Sequence, residues 1–170
     1  MALIEAKKDI VVPSIDPRLK AHVLVVATCD IPAEIANLFS CCVNAVADQM
    51  ENDGLLVDTD HLLFVTCIFT DKDTISITLE PNELAIVTPI IVYPFYKWNI
   101  NHPEIVCSSM IEELAHFFWG IRSEYEVSLK VLTILNRIYT NLKLEDIFNV
   151  DILREIDCLE RKKFIEDFLD

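Results

Sequence analysis

Two residues of metal-binding type lie four positions apart in the apolar segment from residue 103 to residue 119. They are Glu112 and His116, and a second carboxylate, Glu113, lies between them. Residues i and i+4 of an α-helix share one face, so these two side chains can reach a single divalent ion. If the segment is helical, its spacing predicts a metal-binding face.

The sequence around these residues predicts the helix and both of its ends. Asn101 stands before Pro103 and Glu104, a combination typical of a helix start, and Gly120 is typical of a helix end. Most of the helix circumference is apolar, and the polar residues form a single stripe. We interpret that stripe either as a narrow solvent-exposed face or as the lining of a cleft. Its members are Ser108, Ser109, Glu112, Glu113 and His116.

A second helix is predicted immediately after the glycine. Ser123 and Glu126 form a capping box, and an apolar stripe follows over residues 127–138. A helix that begins here would bring the carboxylate of Glu124 or Glu126 within reach of His116. The sequence therefore predicts a group of acids around one histidine at the junction of two helices.

The rest of the chain predicts one earlier helix and a small sheet. Apolar residues at three- and four-residue intervals indicate a helix over residues 32–51. Residues 61–69 are rich in β-forming side chains, residues 74–80 alternate strictly between polar and apolar, and residues 84–92 form a third apolar run. Short polar turns separate the three runs, so we expect an antiparallel meander packed on the helix. Residues 22–27 fit either a further strand or the start of a helix.

In chain order these segments predict an α+β fold, with an N-terminal helix, a three- to four-stranded mainly antiparallel sheet, and C-terminal helices. A length of 170 residues fits a single domain over residues 1–170. One or two further helices are expected over residues 144–169.

Composition narrows the classes of function. A net charge of −14 argues against nucleic-acid binding, which needs clustered lysine and arginine. Two glycines are too few for a glycine-rich phosphate loop or a dinucleotide fingerprint. We see neither a secretory signal nor an apolar run of membrane-spanning length. The six cysteines show no metal-finger spacing and are interpreted as reduced thiols of a cytoplasmic protein.

The segment from Glu112 to His116 resembles the H-E-x-x-H helix of the zincin metallopeptidases, particularly the gluzincin group. His116 matches the second histidine ligand of that motif, Glu113 matches its general base, and Glu112 stands where the family has its first histidine. The resemblance implies an acidic third ligand near the start of the next helix, where Glu124 and Glu126 lie. It covers about residues 32–138 as a zincin-like core, followed by a helical extension over about residues 142–170.

Glutamate in place of the first histidine changes the chemistry that this resemblance implies. Catalytic zinc favours two neutral imidazoles and one carboxylate, because the remaining positive charge acidifies the bound water. Two carboxylates would cancel that charge, and an oxygen-rich site suits manganese or iron(II) better than zinc. The site is then either an atypical metal centre or a polar cleft that has lost its ion. From the sequence we favour the second, and expect no stoichiometric zinc at neutral pH.

The sequence therefore predicts a zincin-like domain whose peptidase activity is lost or atypical. We expect it to act as an interaction or regulatory protein with another protein as its partner. The first alternative is an active hydrolase whose ion is held by Glu112, His116 and either Glu124 or Glu126, with Glu113 as general base. The second is an acidic module that binds proteins or mimics DNA without any metal. A di-iron bundle would need a second copy of the Glu113-x-x-His116 motif, and the sequence has one copy.

Overall fold

The computed structural model of the chain describes residues 12–57, 64–73, 75 and 89–167, with side chains as far as residue 159. Within these ranges the chain folds into helices and one three-stranded sheet, which confirms the predicted α+β class. In chain order the elements are β1 (Val23–Ala27), α1 (Ala33–Asn52), β2 (Val65–Thr70), β3 (Ile90–Pro94), a 3-10 turn (Phe95–Lys97), α2 (Pro103–Trp119), α3 (Glu124–Leu135), α4 (Leu144–Ile147) and α5 (Val150–Asp167).

The sheet is parallel, so the antiparallel meander predicted from the sequence is wrong. Strand β2 lies in the middle and pairs in parallel with β1 on one side and β3 on the other. In the register, Val25 lies opposite Cys67, which lies opposite Ile91. All six residues of β2 are buried, as is usual for a parallel strand covered on both faces. The short polar turn after β2 resembles a hairpin signal, but the next strand of the sheet among the described residues is β3, which begins at Ile90 and runs parallel to β2.

The individual strand predictions have different outcomes. The run over residues 61–69 is found as β2, and residues 22–27, for which the sequence left two choices, form β1. Only the end of the run over residues 84–92 lies in a described strand, β3. The alternating segment of residues 74–80 lies outside the described residues except for Ile75, which belongs to neither a helix nor a strand.

The core forms where α1 crosses one face of this sheet. Phe39 of α1 contacts Phe69 of β2 edge to face, with ring centroids 5.0 Å apart, and Tyr93 of β3 at 5.6 Å. All three rings are buried. The hydroxyl of Tyr93 donates a hydrogen bond of 3.0 Å to the carbonyl oxygen of Met110, in the middle of α2. This contact fixes the position of α2 against the sheet.

A second group of contacts holds the far ends of three helices together. Asp53, directly after α1, accepts hydrogen bonds from the indole nitrogen of Trp119 at 2.9 Å and from the amine of Lys130 at 2.8 Å. Gln49 donates to Asp53 at 2.8 Å and accepts from the guanidinium of Arg137 at 2.9 Å. The end of α2 and the length of α3 are therefore attached to α1 through side chains.

The helix predictions are confirmed closely. Helix α1 spans Ala33–Asn52 where residues 32–51 were predicted, and α4 and α5 account for the C-terminal helices. Among the residues that the structure describes, no helix is both long enough and apolar enough to cross a membrane.

The aromatic core generates a prediction about stability. Changing Phe69→Ala removes the ring that contacts both Phe39 and Tyr93, and such a cavity costs about 3–5 kcal/mol of unfolding free energy. Urea denaturation of the variant should show this loss. Phe64→Ala is the matched control, because Phe64 is 42% exposed just before the same strand, and its loss should stay within about 0.5 kcal/mol. Equal losses in the two variants would contradict the described core.

Candidate metal site

Helix α2 places two of the predicted site residues on one face of its C-terminal half. Its apolar side chains, including Ile111, Leu114 and Ala115, are buried in the core, so the helix cannot rotate about its axis. Glu112 and His116 are half-buried at the boundary of that core. The polar stripe predicted from the sequence is therefore the edge of a packed helix, and two of its members converge at one point.

Helix α3 brings a third residue to the same point. Gly120 ends α2 in the left-handed conformation, with φ of 63°, and the chain reverses direction over the next three residues. Ser123 then caps α3, its hydroxyl oxygen accepting from the backbone N–H of Glu126. As a result Glu124, the first residue of α3, places a carboxylate oxygen 3.8 Å from Nε2 of His116.

Three potential ligand atoms meet at this corner. One atom each from Glu112, His116 and Glu124 lies within 4.8 Å of the other two. The side chains of His116 and Glu124 are 26% and 41% exposed, so water and ions can reach them. The group lies at the surface of the junction between α2 and α3, which we call the α2–α3 corner (residues 112–127).

The orientation of the imidazole is set by its other nitrogen. Nδ1 of His116 lies 2.6 Å from the carbonyl oxygen of Ile121. A carbonyl oxygen only accepts hydrogen bonds, so Nδ1 carries the proton; the tautomer follows from this contact. In the neutral ring, Nε2 is then left with its lone pair directed towards Glu124. Histidine ligands of metals are held in the same manner, with the second ring nitrogen donating to a carbonyl or carboxylate.

The electrostatics of the corner favour a positive charge. Burial raises the pKa of Glu112, the carboxylates of Glu124 and Glu113 raise it further, and His116 acts in the opposite direction. Two carboxylates and one imidazole nitrogen therefore face one another, and a cation at the centre would stabilise the negative charge of the carboxylates.

The other residues predicted for the site lie outside this group. Glu126 is exposed, and it takes part in the corner through its backbone N–H. Glu113 is exposed beside Glu112 and is not one of the three ligand residues.

The donor set fits a divalent metal ion. Zinc–nitrogen and zinc–oxygen bonds are about 2.0–2.2 Å long, which places neighbouring ligand atoms about 3.3 Å apart in a tetrahedron. The His116–Glu124 separation is 3.8 Å and the three ligand atoms lie within 4.8 Å of one another, so the side chains would have to rotate towards a common centre to hold an ion. Three protein ligands would leave at least one coordination position open to solvent. Two carboxylates would also make the loaded centre formally neutral.

Sequence reasoning found the three side chains but missed the group that orients them. The carbonyl oxygen of Ile121 is a backbone atom, and its position cannot be predicted from the type of the residue that carries it. The one available signal was Gly120, because a left-handed residue after a helix reverses the chain and keeps the next residues close to the last turn of that helix.

Comparison with protein-family models, with curated proteins and with solved structures found no match.

The raised pKa of Glu112 predicts how the metal-free stability depends on pH. When the pKa of an acid is higher in the folded state, the protein becomes less stable as the pH rises. The loss begins near the unfolded pKa of the acid, about 4.3, and is complete above its folded pKa. Changing Glu112→Gln should therefore stabilise the metal-free protein at pH 7, by about 1 kcal/mol or less because the group is partly exposed.

The measurement is urea denaturation with a chelator at pH 7 and at pH 4. The gain from Glu112→Gln should shrink at the lower pH, where the wild-type carboxyl takes up its proton. Glu113→Gln removes the same charge from an exposed neighbour and should change little at either pH. A gain that is equal at both pH values would contradict this account of the site.

Proposed function

We propose that this chain is a divalent-metal-binding domain of zincin-like type, in which the ion is held by Glu112, His116 and Glu124. The single observation in support is the anchored imidazole of His116, whose free nitrogen faces two carboxylates. The sequence alone favoured a site that had lost its ion. The anchored tautomer favours a site that retains one, because the contact of Nδ1 with the Ile121 carbonyl oxygen leaves the other ring nitrogen free to bind an ion.

We further propose that the domain serves in binding or regulation and is a poor peptidase. A bound divalent ion would supply Lewis acidity and acidify its water ligand. Glu112 and Glu124 together cancel the ion's charge, which weakens both effects. His116 contributes one neutral donor where a catalytic zinc site of the zincin type has two. The residues present are thus better suited to holding an ion than to activating water on it.

Hydrolysis is the second candidate, and one observation favours it. Glu113 follows Glu112 directly on α2 and is exposed to solvent, which is where a general base beside the ion would be needed.

An acidic protein-binding or DNA-mimicking surface without metal is the third hypothesis, and the net charge of −14 supports it. We propose a cytoplasmic location, and the free state of all six cysteines supports it.

Metal titration tests the ligand assignment. Calorimetry on chelator-treated protein with Zn²⁺, and separately with Mn²⁺, should show one site per chain. His116→Ala should abolish binding, and Glu124→Gln should weaken it by at least about tenfold, because an anionic ligand is lost. Glu126→Gln is the matched control, since it removes the same charge from the same helix turn and should leave the affinity nearly unchanged.

Two results would contradict the assignment. Equal weakening in Glu124→Gln and Glu126→Gln would mean that the ion senses only the general negative field of the corner. Failure of the wild type to bind either ion at millimolar concentration would refute the proposed function itself.

The zincin-like character has its own test. Changing Glu112→His should create two imidazoles and one carboxylate, and raise the zinc affinity by about tenfold or more, because zinc prefers nitrogen donors. We expect peptidase activity on a casein substrate to be undetectable in wild type and to become measurable in Glu112→His. The double variant Glu112→His with Glu113→Gln should bind zinc equally well and show no activity. No gain in affinity would refute the placement of Glu112 in a ligand position.

A further inference from the structure

We infer that the ion acts as a removable clamp on the α2–α3 corner, so that the supply of divalent metal controls how often this corner opens. The inference rests on the proposed function, because it assumes that Glu112, His116 and Glu124 hold the ion.

The ligands lie on both sides of a break in the helical structure. Glu112 and His116 belong to the last two turns of α2, whereas Glu124 is the first residue of α3. Residues 120–123 between them belong to no helix. An ion bound to all three would therefore join two helices across an irregular segment, in the way that a crosslink does.

Without a cation, the charges at this corner oppose its closure. The carboxylates of Glu112 and Glu124 approach within 4.8 Å, and Glu113 adds a third negative charge on the next residue. Like charges at this separation repel each other. The hydrogen bond from His116 to the Ile121 carbonyl oxygen acts against that repulsion, and a cation would turn the repulsion between the two acids into attraction to a common centre.

The opening is expected to stay local, because other contacts hold the two helices. Lys130 and Trp119 both bind Asp53, and Arg137 binds Gln49, so α3 and the end of α2 remain attached to α1. These contacts lie outside the ligand group. The first turn of α3 can therefore separate from His116 while the body of α3 stays in place.

Two backbone amides report on this opening. The N–H of Val127 donates to the Ser123 carbonyl oxygen at 2.9 Å, and the N–H of Glu126 donates to the Ser123 hydroxyl oxygen at 3.4 Å. Both bonds close the first turn of α3 and break when the corner opens. If opening releases the ion, exchange of these amides with solvent deuterium slows by a factor of 1 + [M]/Kd, which is about 100-fold at a free metal concentration of 100 Kd.

The experiment is hydrogen exchange, resolved by residue with NMR, on the full chain with a chelator and with Mn²⁺ or Zn²⁺ at 100 times the calorimetric Kd. Zn²⁺ is used for spectra, since it is diamagnetic, and Mn²⁺ is followed by mass spectrometry of the same segment. The amide of Ala36 is the control, because it donates to the Pro32 carbonyl oxygen in the first turn of α1, away from the site. Slowing at Glu126 and Val127, with Ala36 unchanged, supports the clamp.

A metal-free arm tests the electrostatic part separately. Glu112→Gln should slow exchange at Glu126 and Val127 by roughly twofold without any metal, because one of the repelling charges is gone. Glu113→Gln should have a smaller effect, as Glu113 is exposed and outside the ligand group. Equal effects of the two variants would overturn the repulsion argument.

The failure of the clamp is distinguishable from the failure of the proposed function. If calorimetry shows one site that His116→Ala abolishes, but exchange at Glu126 and Val127 is unchanged by metal, the clamp is wrong and the metal site stands. If calorimetry shows no binding, the proposed function is wrong and the clamp falls with it.

Discussion

The hydroxyl of Tyr93 and the carbonyl oxygen of Met110 are joined by a hydrogen bond inside the aromatic core, and much of the remaining structure depends on where this bond places α2. Tyr93 is fully enclosed by Phe39, Phe69 and Trp98, so its ring has little freedom to move. Its hydroxyl requires a partner because an unpaired buried hydroxyl is costly. The helix that supplies this partner is thereby tied to the sheet near its middle, and its buried apolar side chains fix its rotation.

That position of α2 determines the character of the candidate site. A helix this apolar buries most of its circumference, and the narrow strip that remains must carry its polar side chains. Glu112 and His116 lie on this strip, close enough to the core for burial to disfavour a charge on Glu112. The left-handed Gly120 then brings α3 back against the same strip. The convergence of two acids and an imidazole thus follows from packing and from one turn.

The extent to which the sequence predicted these features depended on how local each signal was. The ends of α2 were predicted correctly, because the proline at its start and the glycine at its end act within a few residues, although the residue at its N-cap is His102 and not the predicted Asn101. The choice of Glu124 over Glu126 could not be made, since both lie in the first turn of α3 and only the path of the corner separates them. The direction of the strands was predicted wrongly. Both faces of β2 are buried, so its sequence does not alternate between polar and apolar residues. The pairing of β2 with β3 depends on residues far apart in the chain.

The parallel sheet also has a consequence for the order in which the chain can fold during synthesis. Parallel neighbours cannot form a local hairpin, and β3, which covers one edge of β2, ends only at Pro94. Until the ribosome has released that strand, Phe69 lacks Tyr93 and Trp98 as neighbours. An apolar central strand with an open edge is a target for aggregation and for chaperones. The nascent chain therefore passes through a stage in which one edge of β2 is unpaired, before the helices bearing the site have been made.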